Sequence, residues 1–266
     1  MSYISFNGQI IRQDQINFYA VERFRVADAC FESMLYRHER IPLLLLHQER
    51  LTKTCALLNF QDYQISFAEI ERLLFENNLA TEMVRVRISL VRKHGANYKP
   101  LGKEVQVLIE TIKLTEIFKP VNNLGFYNVF KKSSNALACI KSSNALIYVL
   151  AQQFAQENKY DEVLIANEQK EWIEASSSNV FVIKNKQIYT AKEDSGCVNG
   201  VCKDFLINFL DVQFVELTDL FLEEADELFL SNAVQLIQPV LKLDGKSLGT
   251  AKTAELIKNV KQKFEA

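Results

Sequence analysis

Apolar and polar residues alternate on either side of Asn7-Gly8 in YISFNGQII, and that dipeptide between two apolar runs predicts a β-hairpin. Next, ACFESMLYRHERIPLLLL reads as two strands joined at the polar Arg37–Arg40. The period then lengthens. HQERLTKTCALLNF and FAEIERLLFENN carry apolar residues three and four apart, the spacing of amphipathic helices. VRVRISLVRK and VQVLIETIKL return to strand patterning around a loop at His94–Pro100, and TEIFKPVNNLG, with Pro120 and Gly125, marks a domain boundary.

Beyond that boundary, SSNALIYVLAQQFAQEN predicts a helix opening near Ser143, followed by strands in DEVLIAN and SNVFVIKNKQIYTA. NGVCKDFLINFL opens another helix. DELFLSNAVQLIQPVLKLDGKSL reads as strands with a turn at Asp244-Gly245, and TAKTAELIKNVKQKF closes as an amphipathic helix with Thr250 near its N-cap. Strands and helices mix without strict alternation, which predicts a mixed α+β or α/β protein of two lobes. The expected division is an N-terminal domain over 1–115, a linker over 116–125 and a C-terminal domain over 126–266.

Composition narrows the chemistry. The 266 residues are 48% hydrophobic and 24% charged, with a formal net charge of −2 and basic residues scattered rather than striped. That pattern gives no footprint for nucleic acid or an anionic membrane. Five cysteines without a C-x-x-C pair, several in apolar runs, fit reduced thiols. Three histidines without H-E-x-x-H make a metal site an unfavoured expectation. MSYISFNGQI has neither a basic leader nor an apolar core, and no apolar run approaches a membrane span, so a cytoplasmic protein is expected.

Several segments carry candidate chemistry. KSSNA occurs twice, at Lys132–Ala136 and Lys141–Ala145. Lys141 follows the apolar ALACI and precedes the expected helix. A helix N-terminus and apolar surroundings both disfavour an ammonium, as an amine nucleophile requires; equally, Lys141 could lie along a helix end with its charge in water. Lys132 follows another lysine, a setting that points to solvent. EWIEASSSNVFVI places Glu174 before Ser176, Ser177, Ser178 and Asn179, either an anion site or a serine turn. Gly200 at the start of GVCKDFL exposes backbone N–H groups suited to phosphate, or is ordinary loop chemistry. Ser231 and Asn232 end a strand in FLSNAV.

In this order, H-x-x-R-L, a lysine before a helix, E-x-S-S-S-N-V-F, a glycine-led helix and S-N-A resemble the class IV aminotransferases. These are the fold type IV enzymes of pyridoxal 5′-phosphate (PLP), and the likeness runs from about Phe31 to Val240. It implies a smaller N-terminal and a larger C-terminal α/β domain. It makes Lys141 the catalytic Schiff-base lysine, 33 residues before Glu174, and gives Lys132 no role. Glu174 becomes the partner of the pyridinium nitrogen, and Arg50 grips the phosphate. Val201 and Cys202 bind the same phosphate through N–H groups, with Ser178, Asn179, Asn232 and Ala233 completing the cofactor site.

The resemblance also places Phe31, Arg87 and Arg92 among candidate substrate contacts. Strand alternation sets residues 87 and 91 on one face, and a turn near Val91 would free Arg92, the favoured candidate. Cys202 and Ala233 stand where members often carry threonine, so two hydroxyl contacts are lost. Leu146 stands where branched-chain members have tyrosine. The activity implied is amino-group transfer between an amino acid and a keto acid. The alternatives are aminodeoxychorismate lyase, favoured by Leu146 and S-N-A, and a PLP-binding protein without turnover. A homodimer is implied as well.

Overall fold

The structure is a computed structural model and describes residues 2–15 and 22–265. By its contacts the chain forms two compact units. Met1–Thr115 and Lys141–Asn144 make the first; Glu116–Ile140 and Ala145–Ala266 make the second.

In the first unit, β1 (Tyr3–Phe6) and β2 (Gln9–Arg12) form the expected hairpin. Asn7 (φ 50°) and Gly8 (φ 80°) take the left-handed geometry that a two-residue turn requires. β3 (Ala29–Tyr36) follows, but the second strand expected in IPLLLL does not form. Arg37 and Arg40 close a tight turn, and the leucines lead into α1 (Leu44–Leu58). An unbroken apolar run has no period of its own, so its neighbours decide its conformation. α2 (Phe67–Glu76) starts at Ser66, whose hydroxyl accepts the Glu69 N–H. β4 (Val84–Arg92), a two-residue ribbon of β5 (Gly95–Ala96) and β6 (Lys99–Pro100), and β7 (Val105–Lys113) complete the unit.

The antiparallel sheet runs β2-β1-β7-β4-β3. α1 and α2 supply Leu51, Cys55, Ile70, Leu73 and Leu74 to a core shared with Val84, Val86, Ile88 and Ile109. Full burial of each such leucine or isoleucine contributes about 1.5–3 kcal/mol. On β4 the odd-numbered residues Arg85, Arg87 and Ser89 therefore lie on the opposite face.

The second unit opens with β8 (Leu124–Lys132), a strand that the sequence pattern did not mark, then α3 (Leu146–Glu157). β9 (Glu162–Asn167), β10 (Trp172–Ala175), β11 (Asn179–Lys184) and β12 (Gln187–Ala191) follow. α4 (Val201–Phe209), β13 (Val212–Val215), α5 (Asp219–Glu223), β14 (Glu227–Asn232) and β15 (Leu236–Val240) come next. The chain then turns through β16 (Lys242–Leu243) and β17 (Lys246–Ser247) and closes with α6 (Ala251–Glu265). The main path is β13-β12-β11-β10-β9-β8-β16-β17, with β14 pairing both β11 and β15.

α3 packs Ala151 and Ala155 on Tyr127, Val163 and Ile165 of β8 and β9. α6 starts directly after Thr250, as expected, and the side chain that satisfies its first turn is Glu227, whose carboxylate accepts the Lys252 and Thr253 N–H groups and the Thr253 hydroxyl. Among the described residues no helix is long and apolar enough to cross a membrane, and no group of three or more His, Cys, Asp or Glu could hold a metal ion.

Candidate active site

Glu174 is the most deeply placed acid of the second unit, 2% exposed on β10. The pairing of β10 with β9 slips between Trp172 and Glu174, and a slip of this kind re-aims a side chain. Its Oε1 accepts from Lys132 Nζ at 2.6 Å and from the Tyr148 hydroxyl at 2.8 Å; its Oε2 accepts the Val198 N–H at 2.8 Å. Lys132 Nζ also reaches the Tyr148 oxygen at 2.6 Å, closing a triangle. Burial, then the Glu174 charge, pushes the Tyr148 phenol far above its ordinary range, so it donates as a neutral hydroxyl.

Lys132 therefore does not face solvent as expected. Its exposure is 8%, whereas Lys131 beside it is exposed. The β8–β9 register shifts between Tyr127 and Lys132, which puts Lys132 opposite Asn167. Tyr148, like Lys132, was missed in the sequence. The available signal was helical spacing: Tyr148, Ala151, Gln152 and Ala155 form one stripe of α3. Tyr148 meets Glu174, and Gln152 donates to the Ser176 hydroxyl.

The serine run divides its labour. Ser176 and Ser177 both donate to Glu162, whose carboxyl is pushed up by burial. The Ser178 hydroxyl accepts from Asn232 Nδ2 at 2.9 Å. Asn232 Oδ1 accepts the Val234 and Gln235 N–H groups, fixing the turn that carries Ala233. Asn179 donates to the Val198 carbonyl at 2.8 Å and so fastens the loop before α4. That helix begins where expected, at Val201 after Gly200. A Cβ on Gly200 would stand 1.9 Å from Asn179 Oδ1, so a larger residue here would require the Asn179 side chain to move. Cys202 is buried, its thiol directed at the Leu236 carbonyl and pushed up to about 12 by burial.

In the first unit, Lys141 lies not at a helix mouth but on a short extended segment; α3 starts five residues later, at Leu146. The Phe31 N–H bonds the Lys141 carbonyl at 3.0 Å, and the Ser143 N–H bonds the Ala29 carbonyl at 2.9 Å, so the segment lines β3. Lys141 Nζ is 4.9 Å from the Phe31 ring centroid, and the Arg87 guanidinium lies 4.1 Å from the same centroid. The helix-dipole argument does not apply here, because the lysine is not at a helix start.

Arg50 is fixed by Glu32, with Nε on Oε1 at 2.7 Å and Nη2 on Oε2 at 2.5 Å, while His47 Nδ1 lies 2.7 Å from Oε2. Burial alone would raise the Glu32 carboxyl, but Arg50 and His47 outweigh it and hold it at about 2. Arg92 corrects an expectation. It pairs with Asp28 at 2.8 Å and donates to the Gly102 and Leu58 carbonyls at 3.0 and 2.8 Å, at 7% exposure. Its donors hold the fold together. Arg87 has a buried Nε without a partner among the described residues, and lies with Arg85, Glu110 and Ile112 around a small open hollow.

The chain matches the amino-transferase class IV family over residues 29–243. It belongs to the class IV aminotransferases. A D-alanine aminotransferase of Bacillus licheniformis is 26% identical over 97% of this chain and 94% of its own length. A protein of Legionella pneumophila, named as a candidate 4-amino-4-deoxychorismate lyase, is 26% identical with a TM-score of 0.78, covering 90% of this chain and 92% of its own. The branched-chain aminotransferase of Thermoproteus uzoniensis shares the fold, with a TM-score of 0.84 at 17% identity over 97% of this chain and 93% of its own.

Class IV aminotransferases use PLP, and the residues present fit it. Glu174 has three of its roughly four acceptor positions filled, leaving one on Oε2 for a ring nitrogen. The nine-residue helix α4 opens at a glycine whose added Cβ would meet Asn179, and its first N–H groups suit a phosphate.

Proposed function

We propose that this class IV aminotransferase moves an amino group between an amino acid and a keto acid, with Lys141 as the lysine that holds PLP. The observation that carries the reading is the buried Glu174 carboxylate, 33 residues beyond Lys141, with an acceptor position still open. Bound PLP supplies the electron sink that makes the substrate Cα–H acidic. Within that reading Glu174 faces the ring nitrogen. Arg50, oriented by Glu32, takes the phosphate together with the Val201 and Cys202 N–H groups. Ser178, Asn179, Asn232 and Ala233 shape the surrounding loops. With PLP bound, Lys141 would be the residue that holds the cofactor, and its amine would serve as the base for the proton at the substrate Cα. Arg87, stacked on Phe31, is the guanidinium for the substrate carboxylate.

D-alanine is the first donor to test, given the relatives at 24–26% identity over nearly the whole chain. The lyase reading keeps Leu146 and the S-N-A segment in its favour and gains the 26% identity to the Legionella protein. The five free cysteines accord with a reducing compartment such as the cytoplasm, and a homodimer is the assembly we infer.

The test is the visible absorption band of the purified protein with PLP. Loss of the band with D-alanine, and its return with a keto acid, are expected, while Lys141→Ala should lack the band altogether. Pyruvate release from aminodeoxychorismate, with no response to any amino acid, would replace transfer by the lyase reading. An unchanged band in Lys141→Ala would sink the assignment of that lysine.

A further inference from the structure

His47 lies in the first turn of α1, 2% exposed, with its Nδ1 2.7 Å from Glu32 Oε2. The same oxygen accepts from Arg50 Nη2, so one carboxylate serves an imidazole and a guanidinium together. Glu32 is held at about 2 and is therefore ionised at neutral pH. An ionised carboxylate only accepts, which puts the proton of a neutral His47 on Nδ1. Nε2 is left with its lone pair, buried and without a partner among the described residues. An orphaned buried nitrogen is costly, and a second proton would turn it into a donor.

The surroundings withhold that proton until an anion arrives. Burial acts most strongly on His47 and lowers its proton affinity; Glu32 of β3 raises it, and Arg50 of α1 and Lys141 of the strip along β3 lower it. Cys30 of β3 and Cys55 of α1, near Glu32, hydrogen-bond each other. The charges of Glu32 and Arg50 offset one another, which leaves Lys141 as the cation in excess. A phosphate monoester brings about two negative charges near neutral pH, more than Lys141 alone can match.

We propose that His47 takes up a proton when the phosphate of PLP settles beside Arg50, so that cofactor binding is proton-linked through this imidazole. The inference rests on the reading above, in which Arg50 takes the phosphate. His47 is a positioning residue, since it acts through Glu32 and Arg50 and not on the reacting atoms. Once protonated it shares the Glu32 charge, and the guanidinium can face a second anion without leaving a buried carboxylate uncompensated. The bound anion raises the His47 midpoint above its value in the empty site. The gain in affinity is therefore complete below the lower midpoint and is lost as pH rises through the higher one.

The experiment is NMR of the full chain, freed of PLP and labelled at its histidine rings, followed against pH with and without sulfate. Sulfate stands in for the phosphate because its own charge does not change near neutral pH. The chain has three histidines, and the exposed His38 and His94 serve as references. The resonance lost in His47→Gln identifies His47. Sulfate should raise the proton affinity of His47 about tenfold or more and leave the two references in place. Sulfate affinity should fall by the same factor as pH rises through that window, and should stay level in His47→Gln, whose amide does not titrate. A merely structural imidazole would give neither result.

Sulfate that binds the wild type but not Arg50→Met, without moving the His47 midpoint, overturns the inference and leaves the reading of Arg50 standing. Three midpoints that ignore bound sulfate overturn it from the wild type alone, should either variant fail to fold. Sulfate that binds equally well in Arg50→Met, or fails to bind the wild type at any pH, overturns both.

Discussion

Arg87 and Arg92 share one strand and have opposite fates, which makes them the sharpest pair to mutate. Arg92→Met removes a buried partner of Asp28 and two carbonyl contacts, and should cost about 3 kcal/mol of stability. It should lower the melting temperature with little effect on the KM of correctly folded enzyme. Arg87→Met loses a stacking contact while its buried Nε has no hydrogen-bond partner to lose among the described residues, so stability should change little. Its KM for the carboxylate substrate should rise about tenfold or more, as expected for a lost charged hydrogen bond. An unchanged KM in Arg87→Met would remove it from the substrate site. Strand alternation read from the sequence did separate the two arginines. What it could not reveal was that Asp28, 64 positions away, claims Arg92. Lys132 was hidden in the same manner, since its partner Glu174 lies 42 residues on.

Among the elements, α4 depends most on one residue. Gly200→Ala would drive a Cβ into Asn179 and force it off the Val198 carbonyl, displacing the helix start. Losing one buried hydrogen bond of this kind should weaken PLP binding by about tenfold, measured by titrating the apoprotein with cofactor. Wild-type affinity in that variant would show that α4 is not the phosphate site. This glycine, like the hairpin at Asn7-Gly8 and the stripes of α1 and α2, was legible because the signal is local. β8 was not. Four successive exposed residues, Asn128–Lys131, erase any period of two. IPLLLL was read as a strand and turned into a helix entry because an unbroken apolar run suits either. The carboxylate that satisfies the first turn of α6 was out of reach too, since Glu227 lies 25 residues before Lys252.

At the scale of the whole molecule, the exposed apolar residues of the second unit bear on assembly. Val129 and Phe130 of β8, and Leu146 and Val149 in the first turns of α3, are 54–65% exposed. Covering these side chains in an assembly would accord with the inferred homodimer. Light scattering should give twice the mass of the 30.6 kDa chain; a monomer at working concentration would refute the dimer.

The two units carry a last consequence in their connectivity. The chain leaves the first unit at Thr115, returns to it for Lys141–Asn144 and leaves again. Three peptide crossings join the units, so one cut between 115 and 116 yields no self-sufficient half. The N-terminal fragment would lack the lysine and the strip that lines β3; the C-terminal fragment would carry four residues that belong elsewhere. Lys141, the lysine proposed to hold PLP, is sewn in by a stitch, and the two units cannot be shuffled independently as modules without unpicking it.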